Sequence, residues 1–78
     1  MSEAKNISEI PATMGERIAQ IRAQRGLSVE QLAAMANLTP ADVQDIEANT
    51  LLPKNIVILR IANALEVWVD YLLYGSIW

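Results

Sequence analysis

The chain has 78 residues, of which 53% are hydrophobic and 19% are charged, with a net charge of −3 and a sequence pI of about 4.6. This length fits one small domain, and the absence of cysteine and histidine excludes a disulfide framework and removes the usual metal ligands, thiol nucleophile and general base. There is no apolar run of about 18 residues and no signal-peptide core at the start, so we expect a cytoplasmic protein with no membrane span, enzyme activity, cofactor or metal.

The first predicted helix follows residues 1–12, which we expect to form a flexible arm. Thr13 and Glu16 form a capping-box pattern that predicts a helix to about Gln24, and Gly26 is the glycine expected to end it. The core-facing residues, spaced by four and three, are predicted to be Met14, Ile18 and Ile21. The residues expected in solvent are Arg17, Gln20, Gln24 and Arg25.

The second predicted helix begins at a capping box formed by Ser28 and Gln31, in which each side chain bonds to the other residue's backbone N–H. The helix runs from Val29 to about Ala36, and Asn37 is placed to end it in a left-handed conformation. The residues predicted to be buried are Leu32, Ala33 and one of Met35 and Ala36.

The third predicted helix follows immediately, so that a tight turn joins it to the second. Thr39 is its cap, Pro40 occupies the first helical position, and Asp42 adds negative charge to the first turn. The helix runs to about Ala48, and Asn49 is expected to end it. The residues predicted to be buried are Val43 and Ile46. The exposed face carries Ala41, Asp42, Gln44, Asp45 and Ala48.

Two more helices are predicted after a loop at Pro53. No stretch alternates apolar and polar residues with the two-residue period of a strand, so no sheet is expected. We expect Leu51 and Leu52 in this loop to pack against other residues. The fourth helix, to about Leu65, is apolar nearly all round and is expected to be largely buried, with Ile58, Ile61, Ala62 and Leu65 inward. The last helix runs from Val69 to about Tyr74 and ends at Gly75.

The order of these features resembles a known family. The run GERIAQIRAQRGLSVEQLAAMANLTPADVQDIEAN, then Pro53 and the run LRIANALEVWVDYLLYGS, are similar to lambda-repressor-like (Cro/CI-type, XRE-like) helix-turn-helix domains. The segment LEVWVDYLLYG, residues 65–75, is especially similar to the corresponding segment of small phage repressor domains. The resemblance implies an all-α, compact five-helix fold with a central helix-turn-helix. It assigns residues 13–76 to this domain, residues 1–12 to an N-terminal arm and residues 77–78 to a tail.

The resemblance also implies a transcription regulator that inserts the helix after the turn into the DNA major groove. The candidates for contact with base edges are Pro40, Ala41, Gln44 and Asp45. The candidates for phosphate contact are Arg17, Arg25, Lys54 and Val29, and the remaining basic residues near the motif are Arg22 and Arg60. The loop 50–52 occupies the place of a segment that commonly meets phosphates in relatives.

The charge of the motif conflicts with this implication. From Gly26 to Pro53 there is no lysine or arginine, and the acidic residues Glu30, Asp42, Asp45 and Glu47 give a local charge of −4. Two hypotheses follow. The first is a sequence-specific regulator that binds a short inverted repeat as a homodimer, weakly and with salt dependence, through ~4–6 phosphates. The alternative is a protein-interaction module that has lost DNA binding and uses the third helix and its leucine-containing loop.

Several of these residues have a simpler structural interpretation. Gln44 is also compatible with a plain surface glutamine, and Arg17 with an ion pair to Glu16 or Glu30. Asp42 and Asp45 lack a third ligand for a metal site, so a solvated face is the simpler reading of that pair.

Aromatic residues are concentrated near the C-terminus. The candidates for a dimer interface are Trp68, Tyr71, Tyr74 and Trp78, because only some of them can fill so small a core and aromatics are enriched at interfaces. The better core candidates are Val69, Leu72 and Leu73. A two-fold homodimer through this region is expected, and the alternative is that one or two aromatics cap the core. Residues 61–78 contain no basic residue, so a stacking platform for single-stranded nucleic acid is not expected.

Overall fold

The computed structural model describes residues 10–75, and these form five α-helices without any strand. The helices are α1 (Met14–Gln24), α2 (Val29–Ala36), α3 (Pro40–Glu47), α4 (Asn55–Leu65) and α5 (Val69–Tyr74). The predicted all-α class is confirmed, and the predicted helix bounds agree closely. The tail at 77–78 and most of the arm at 1–12 lie outside the described residues.

Four of the helices end in the same hydrogen-bonded turn. After α1, for example, the N–H of Leu27 donates to the carbonyl oxygen of Arg22 at 3.1 Å, and that of Gly26 to Ala23 at 3.0 Å. This Schellman motif requires a left-handed residue just after the helix. The residues that adopt it, with φ between 60° and 71°, are Gly26, Asn37, Asn49 and Glu66. The expected roles of Gly26, Asn37 and Asn49 as helix terminators are therefore confirmed.

The core lies where the five helices converge. α3 packs on α2 and α1, α4 packs on α2, and α5 closes the other end against α1 and α4. The buried side chains include every inward residue predicted for α4, and they are Ile18, Leu32, Ala33, Ala36, Val43, Ile46, Ile58, Ile61, Ala62, Leu65, Tyr71 and Leu72. Of the two alternatives on α2, Ala36 is fully buried and Met35 is 55% exposed.

The expectation that α4 is largely buried is wrong for two of its residues. Ile56 is 56% exposed and Leu59 is 44% exposed. In so small a domain α4 has neighbours on one side only, and no described element covers the side that these residues occupy. None of the described helices has the length and apolar character needed to cross a bilayer.

Candidate nucleic-acid interface

The two helices of the motif, α2 and α3, begin at complete capping boxes. In α2 the N–H of Gln31 donates to Ser28 Oγ at 3.0 Å, and the N–H of Ser28 donates to Gln31 Oε1 at 2.7 Å. In α3 the N–H of Asp42 donates to Thr39 Oγ1 at 3.1 Å, and the reciprocal bond from Thr39 is 3.4 Å long. These bonds satisfy backbone donors at each helix start, so both helices begin where the sequence predicts.

The outward strip of α3 consists of Pro40, Ala41, Gln44, Asp45 and Ala48, and all five are exposed. Val43 and Ile46 are buried on the opposite side. The four residues expected to contact bases therefore share one solvent-facing strip, while their contact with DNA stays a prediction. Val29 is the first residue of α2 and is half-buried against the core.

Asn49 joins the end of α3 to the start of α1. Its Oδ1 accepts from the N–H of Gly15 at 3.0 Å, and its Nδ2 donates to Thr13 Oγ1 at 2.9 Å. Gly15 is needed at this junction, because a Cβ there would overlap the carbonyl oxygens of Ile46 and Glu47. The outward strip of α3 is thus fixed to α1 through its C-terminal end. The sequence predicted Asn49 only as a helix terminator, since bonds between residues 34 and 36 positions apart leave no local pattern.

Arg22 and Glu47 form a second junction between α1 and α3. The guanidinium donates through Nε to Oε2 at 2.7 Å and through Nη2 to Oε1 at 3.1 Å, and Nη1 donates to the carbonyl oxygen of Leu27 at 2.9 Å. These bonds to the carboxylate raise the pKa of Arg22 above its ordinary value. The pair also neutralises one of the four acidic residues of the motif. Nothing in the sequence pattern indicated this pairing.

Arg17 departs most from the sequence-based expectation. We expected it in solvent, available to a phosphate or paired with Glu16 or Glu30, but it is only 6% exposed. Its guanidinium donates to three backbone carbonyl oxygens: Leu72 at 3.0 Å, Pro11 at 2.8 Å and Leu73 at 3.1 Å. These acceptors draw the cation inward, and a buried Arg17 cannot reach a phosphate in this fold.

Two other arginines also bond to backbone carbonyl oxygens. Arg25 is exposed, as expected, and donates to Leu65 at 2.8 Å and Glu66 at 3.1 Å, while Arg60 donates to Ala36 at 2.9 Å. Lys54, at the start of α4, is exposed, and its side chain makes no hydrogen bond or ion pair within residues 10–75. Among the described residues, Lys54 is therefore the basic side chain least engaged by the fold.

The loop after α3 was expected to pack its leucines, and this expectation is wrong. Leu51 is 41% exposed and Leu52 is 86% exposed. The loop folds back on the helix, because the N–H groups of Thr50 and Leu51 both donate to the carbonyl oxygen of Asp45, at 2.9 and 3.2 Å. These bonds keep the backbone of the loop beside the end of α3, where the described part of the chain covers Leu51 only in part and leaves Leu52 almost entirely exposed.

The C-terminal aromatics separate into two groups. Trp68 is 76% exposed and Tyr74 is 74% exposed, whereas Tyr71 is 9% exposed and its hydroxyl donates to Gln20 Oε1. The expectation of an exposed Tyr71 is therefore wrong, because Gln20 satisfies its hydroxyl inside the fold. Leu72 is fully buried, Val69 and Leu73 are half-buried, and Trp78 lies outside the described residues.

An open groove of about 270 Å³ lies between α4 and α5, and the exposed Tyr74 forms part of its wall. Its lining residues are Asn55, Ile58, Leu59, Val69, Leu73 and Tyr74. Residues 10–75 contain no cluster of three or more acidic, histidine or cysteine side chains that could hold a metal ion. None of the lining residues is charged, so the groove is an apolar feature between α4 and α5.

The sequence matches the family model described as helix-turn-helix over residues 18–72. Among solved structures, it is similar to the P22 c2 repressor in complex with a synthetic operator, at 27% identity and a TM-score of 0.81, over 85% of this chain and 100% of that chain. The restriction-modification controller protein C.AhdI from Aeromonas hydrophila is 30% identical, with a TM-score of 0.75, over 77% of this chain and 91% of that one.

The N-terminal DNA-binding domain of SinR from Bacillus subtilis is also similar, at 30% identity and a TM-score of 0.72, over 76% of this chain and 87% of that one. No curated protein matches the sequence. The similar structures thus include a repressor, a controller protein and the DNA-binding domain of a third protein.

Proposed function

The chain belongs to the helix-turn-helix family, and from this we propose that it is a sequence-specific DNA-binding transcription regulator that acts in the cytoplasm. It binds a short inverted repeat in double-stranded DNA as a homodimer, with α3 in the major groove. The similar structures are regulators rather than enzymes, and the proposal includes no catalytic step. The observation that carries it is the outward strip of α3, whose residues are all exposed and whose C-terminal end is anchored to α1 by Asn49.

The strip has the dimensions and side chains that direct readout requires. An α-helix fits the major groove, and a helix entering it by its N-terminal end brings its first exposed residues to base edges. Gln44 carries an amide, which can pair bidentately with adenine, and the small side chain of Ala41 can contact a thymine methyl group. Asp45 can accept from the amino group of cytosine. Pro40 stands at the groove entrance and fixes the start of the helix.

Phosphate contacts are few in this proposal. Lys54 is exposed and unengaged, Arg25 is exposed while bonded to carbonyl oxygens, and Val29 offers a backbone N–H at the positive end of the α2 dipole. Arg17 is no longer a candidate, because its guanidinium is buried. With about two phosphates per protomer, a dimer neutralises about four, which corresponds to weak binding and a log–log salt slope of roughly −4.

The homodimer is proposed to form through α4 and α5. Tyr74 and Leu59 line the apolar groove and are exposed, and each of the exposed residues Trp68 and Ile56 is next in sequence to a lining residue. A two-fold contact uses the same patch on both copies, so an exposed aromatic of one copy can enter the groove of the other. Such a contact would also set the spacing between the two α3 helices, and hence between the two halves of the inverted repeat.

A fluorescence-anisotropy titration tests the proposal. The protein is titrated into a labelled generic duplex at low salt, and the titration is repeated at rising salt. We expect reproducible binding whose logarithm falls linearly with the logarithm of salt concentration, with the shallow slope given above. Binding selection from a random duplex library then identifies the preferred site, which we expect to be an inverted repeat.

Absence of binding at ~100 µM protein and low salt would contradict the proposal. Sequence-specific DNA-binding proteins also bind any duplex through electrostatic attraction to its phosphates, and this result would show that the attraction is missing. Binding that is equal for every sequence in the library would leave a DNA-binding protein but contradict sequence-specific recognition.

A further inference from the structure

Leu51 and Leu52 are exposed in the loop that follows the outward strip of α3. Leu52 is 86% exposed and Leu51 is 41% exposed, and the loop that carries them is bonded to Asp45 by the N–H groups of Thr50 and Leu51. The hydroxyl of Thr50 adds a third bond to the same carbonyl oxygen, at 3.1 Å. The leucines are therefore held next to the end of α3, and the two features form one surface. We call this surface, made of the outward strip of α3 and residues 50–52, the α3 face.

The α3 face combines apolar groups with negative charge. Asp45 is exposed on the strip and Asp42 is half-buried at the start of the helix, whereas Glu47 is neutralised by Arg22. No basic residue occurs between Gly26 and Pro53. The arginines of the described chain donate to carboxylate or carbonyl oxygens elsewhere, so none of them offsets Asp45.

We propose that the α3 face docks a positively charged amphipathic segment of another protein. Apolar side chains of that segment cover Leu51 and Leu52, and a lysine or arginine pairs with Asp45. Because the same face is proposed to enter DNA, the docked segment excludes DNA and so regulates the protein. The docking itself does not depend on DNA binding.

Charge complementarity favours this partner over a second copy and over the chain's own N-terminal segment. A second copy would bring the same aspartates into the contact, and like charges across an interface are unfavourable. DNA bound in the proposed way contacts the outward strip but gains little from the two leucines, which an amphipathic segment covers. The N-terminal segment MSEAKNISE of this chain has two glutamates and one lysine, so it lacks the positive charge required.

The test uses the full chain and a synthetic probe. The probe is a fluorescein-labelled helical peptide of leucine and lysine, about 18 residues or five turns long, with its leucines on one face. A matched peptide has glutamate in place of every lysine. We expect the lysine peptide to bind with micromolar affinity, and the glutamate peptide to bind at least about tenfold more weakly.

Variants locate the contact. Leu51→Ser/Leu52→Ser removes the apolar pair and Asp45→Asn removes the charge, and each should weaken binding of the lysine peptide about fivefold or more. Matched controls are Ile10→Ser/Met35→Ser, which removes two exposed apolar residues outside the α3 face, and Asp70→Asn, which removes an exposed carboxylate of α5. These controls should change the affinity by less than about twofold.

Three outcomes would overturn the inference: no binding of the lysine peptide at ~100 µM, equal binding of the glutamate peptide, or equal losses in the α3-face variants and their controls. These measurements contain no DNA, so failure of the proposed DNA binding leaves them unaffected. A competition titration with labelled duplex then tests exclusion separately, and displacement of the duplex by the lysine peptide is expected.

Discussion

Arg17 caps the last turn of α5, with its Nε–H donating to the carbonyl oxygen of Leu72 at 3.0 Å. Its two other nitrogens, Nη2 and Nη1, donate to the carbonyl oxygens of Leu73 and Pro11. One buried side chain of α1 therefore joins the end of α5 to the segment before α1. The carbonyl end of a helix carries partial negative charge, which favours a cation at this position. The guanidinium has the planar set of donors needed to serve three carbonyl groups at once.

Arg17→Lys should destabilise the domain although it conserves the charge. An ammonium cannot reproduce the forked geometry, so at least one buried carbonyl oxygen loses its partner, and we expect a loss of about 2–3 kcal/mol in unfolding free energy. Urea denaturation followed by circular dichroism measures it. The matched change Arg25→Lys removes bonds at a more exposed site and should cost less than about 1 kcal/mol. Equal losses in the two variants would contradict the role assigned to Arg17.

Asn49→Ala should cost more than Asn37→Ala. Both asparagines have φ near 60°, at 63° and 60°, so both variants place an alanine in a left-handed conformation. Only Asn49 also bonds to Gly15 and Thr13. The difference between the two losses in thermal or urea denaturation should therefore isolate those bonds, at about 1–3 kcal/mol. If both variants lose the same stability, the bonds from the Asn49 side chain to Gly15 and Thr13 contribute nothing.

Gly15→Ala should destabilise the protein, although glycine-to-alanine changes inside helices usually stabilise them by about 1 kcal/mol. The added methyl group would overlap the carbonyl oxygens of Ile46 and Glu47, forcing α1 and α3 apart. We expect a loss of about 3 kcal/mol or more, visible as a lower melting temperature. Gly26→Asn is the control, since nothing lies within 4 Å of a Cβ at that position and asparagine tolerates a positive φ. A melting temperature at or above wild type for Gly15→Ala would refute the close approach.

Gln44→Ala should weaken binding to the selected DNA site more than binding to random duplex. Loss of a bidentate amide contact costs about 1–3 kcal/mol at the correct base, or roughly tenfold in affinity, while phosphate contacts are unchanged. Anisotropy titrations on both duplexes measure the ratio. Gln24→Ala, at the exposed end of α1, is the control and should leave both affinities unchanged. A uniform loss on all sequences would show that Gln44 does not contact a base.

Trp68→Ala should weaken self-association. Trp68 is 76% exposed and directly precedes Val69, which lines the groove between α4 and α5, and a tryptophan at the centre of an interface commonly contributes about 2 kcal/mol or more. Sedimentation equilibrium should therefore give a dimer dissociation constant raised by about tenfold or more. Leu52→Ala, which removes a more exposed apolar side chain from the α3 face, should leave it unchanged. A wild-type chain that sediments as a monomer would contradict the homodimer itself.

Local patterns in the sequence determined the helices and their ends. Each capping box involves residues three apart, and the predicted terminators Gly26, Asn37 and Asn49 lie one or two residues after their helices, so neither pattern depends on the rest of the chain. The three-four spacing of apolar residues likewise identified Ile18, Ile46 and Ile61 as core residues. The exposure of Gln44 and Asp45 followed from the same periodicity.

Only the tertiary structure decided how the polar side chains are used. Arg17 and Leu72 are 55 positions apart, and Arg22 and Glu47 are 25 apart, so no local pattern distinguishes a buried arginine from a solvated one. Burial depends on which carbonyl groups the fold brings within reach of a long side chain. For the same reason, two predictions from the sequence were wrong. Tyr71 was expected at the surface, but the packing of α5 on α1 buries it. Leu52 was expected to pack against the domain, but it is exposed in the loop after α3.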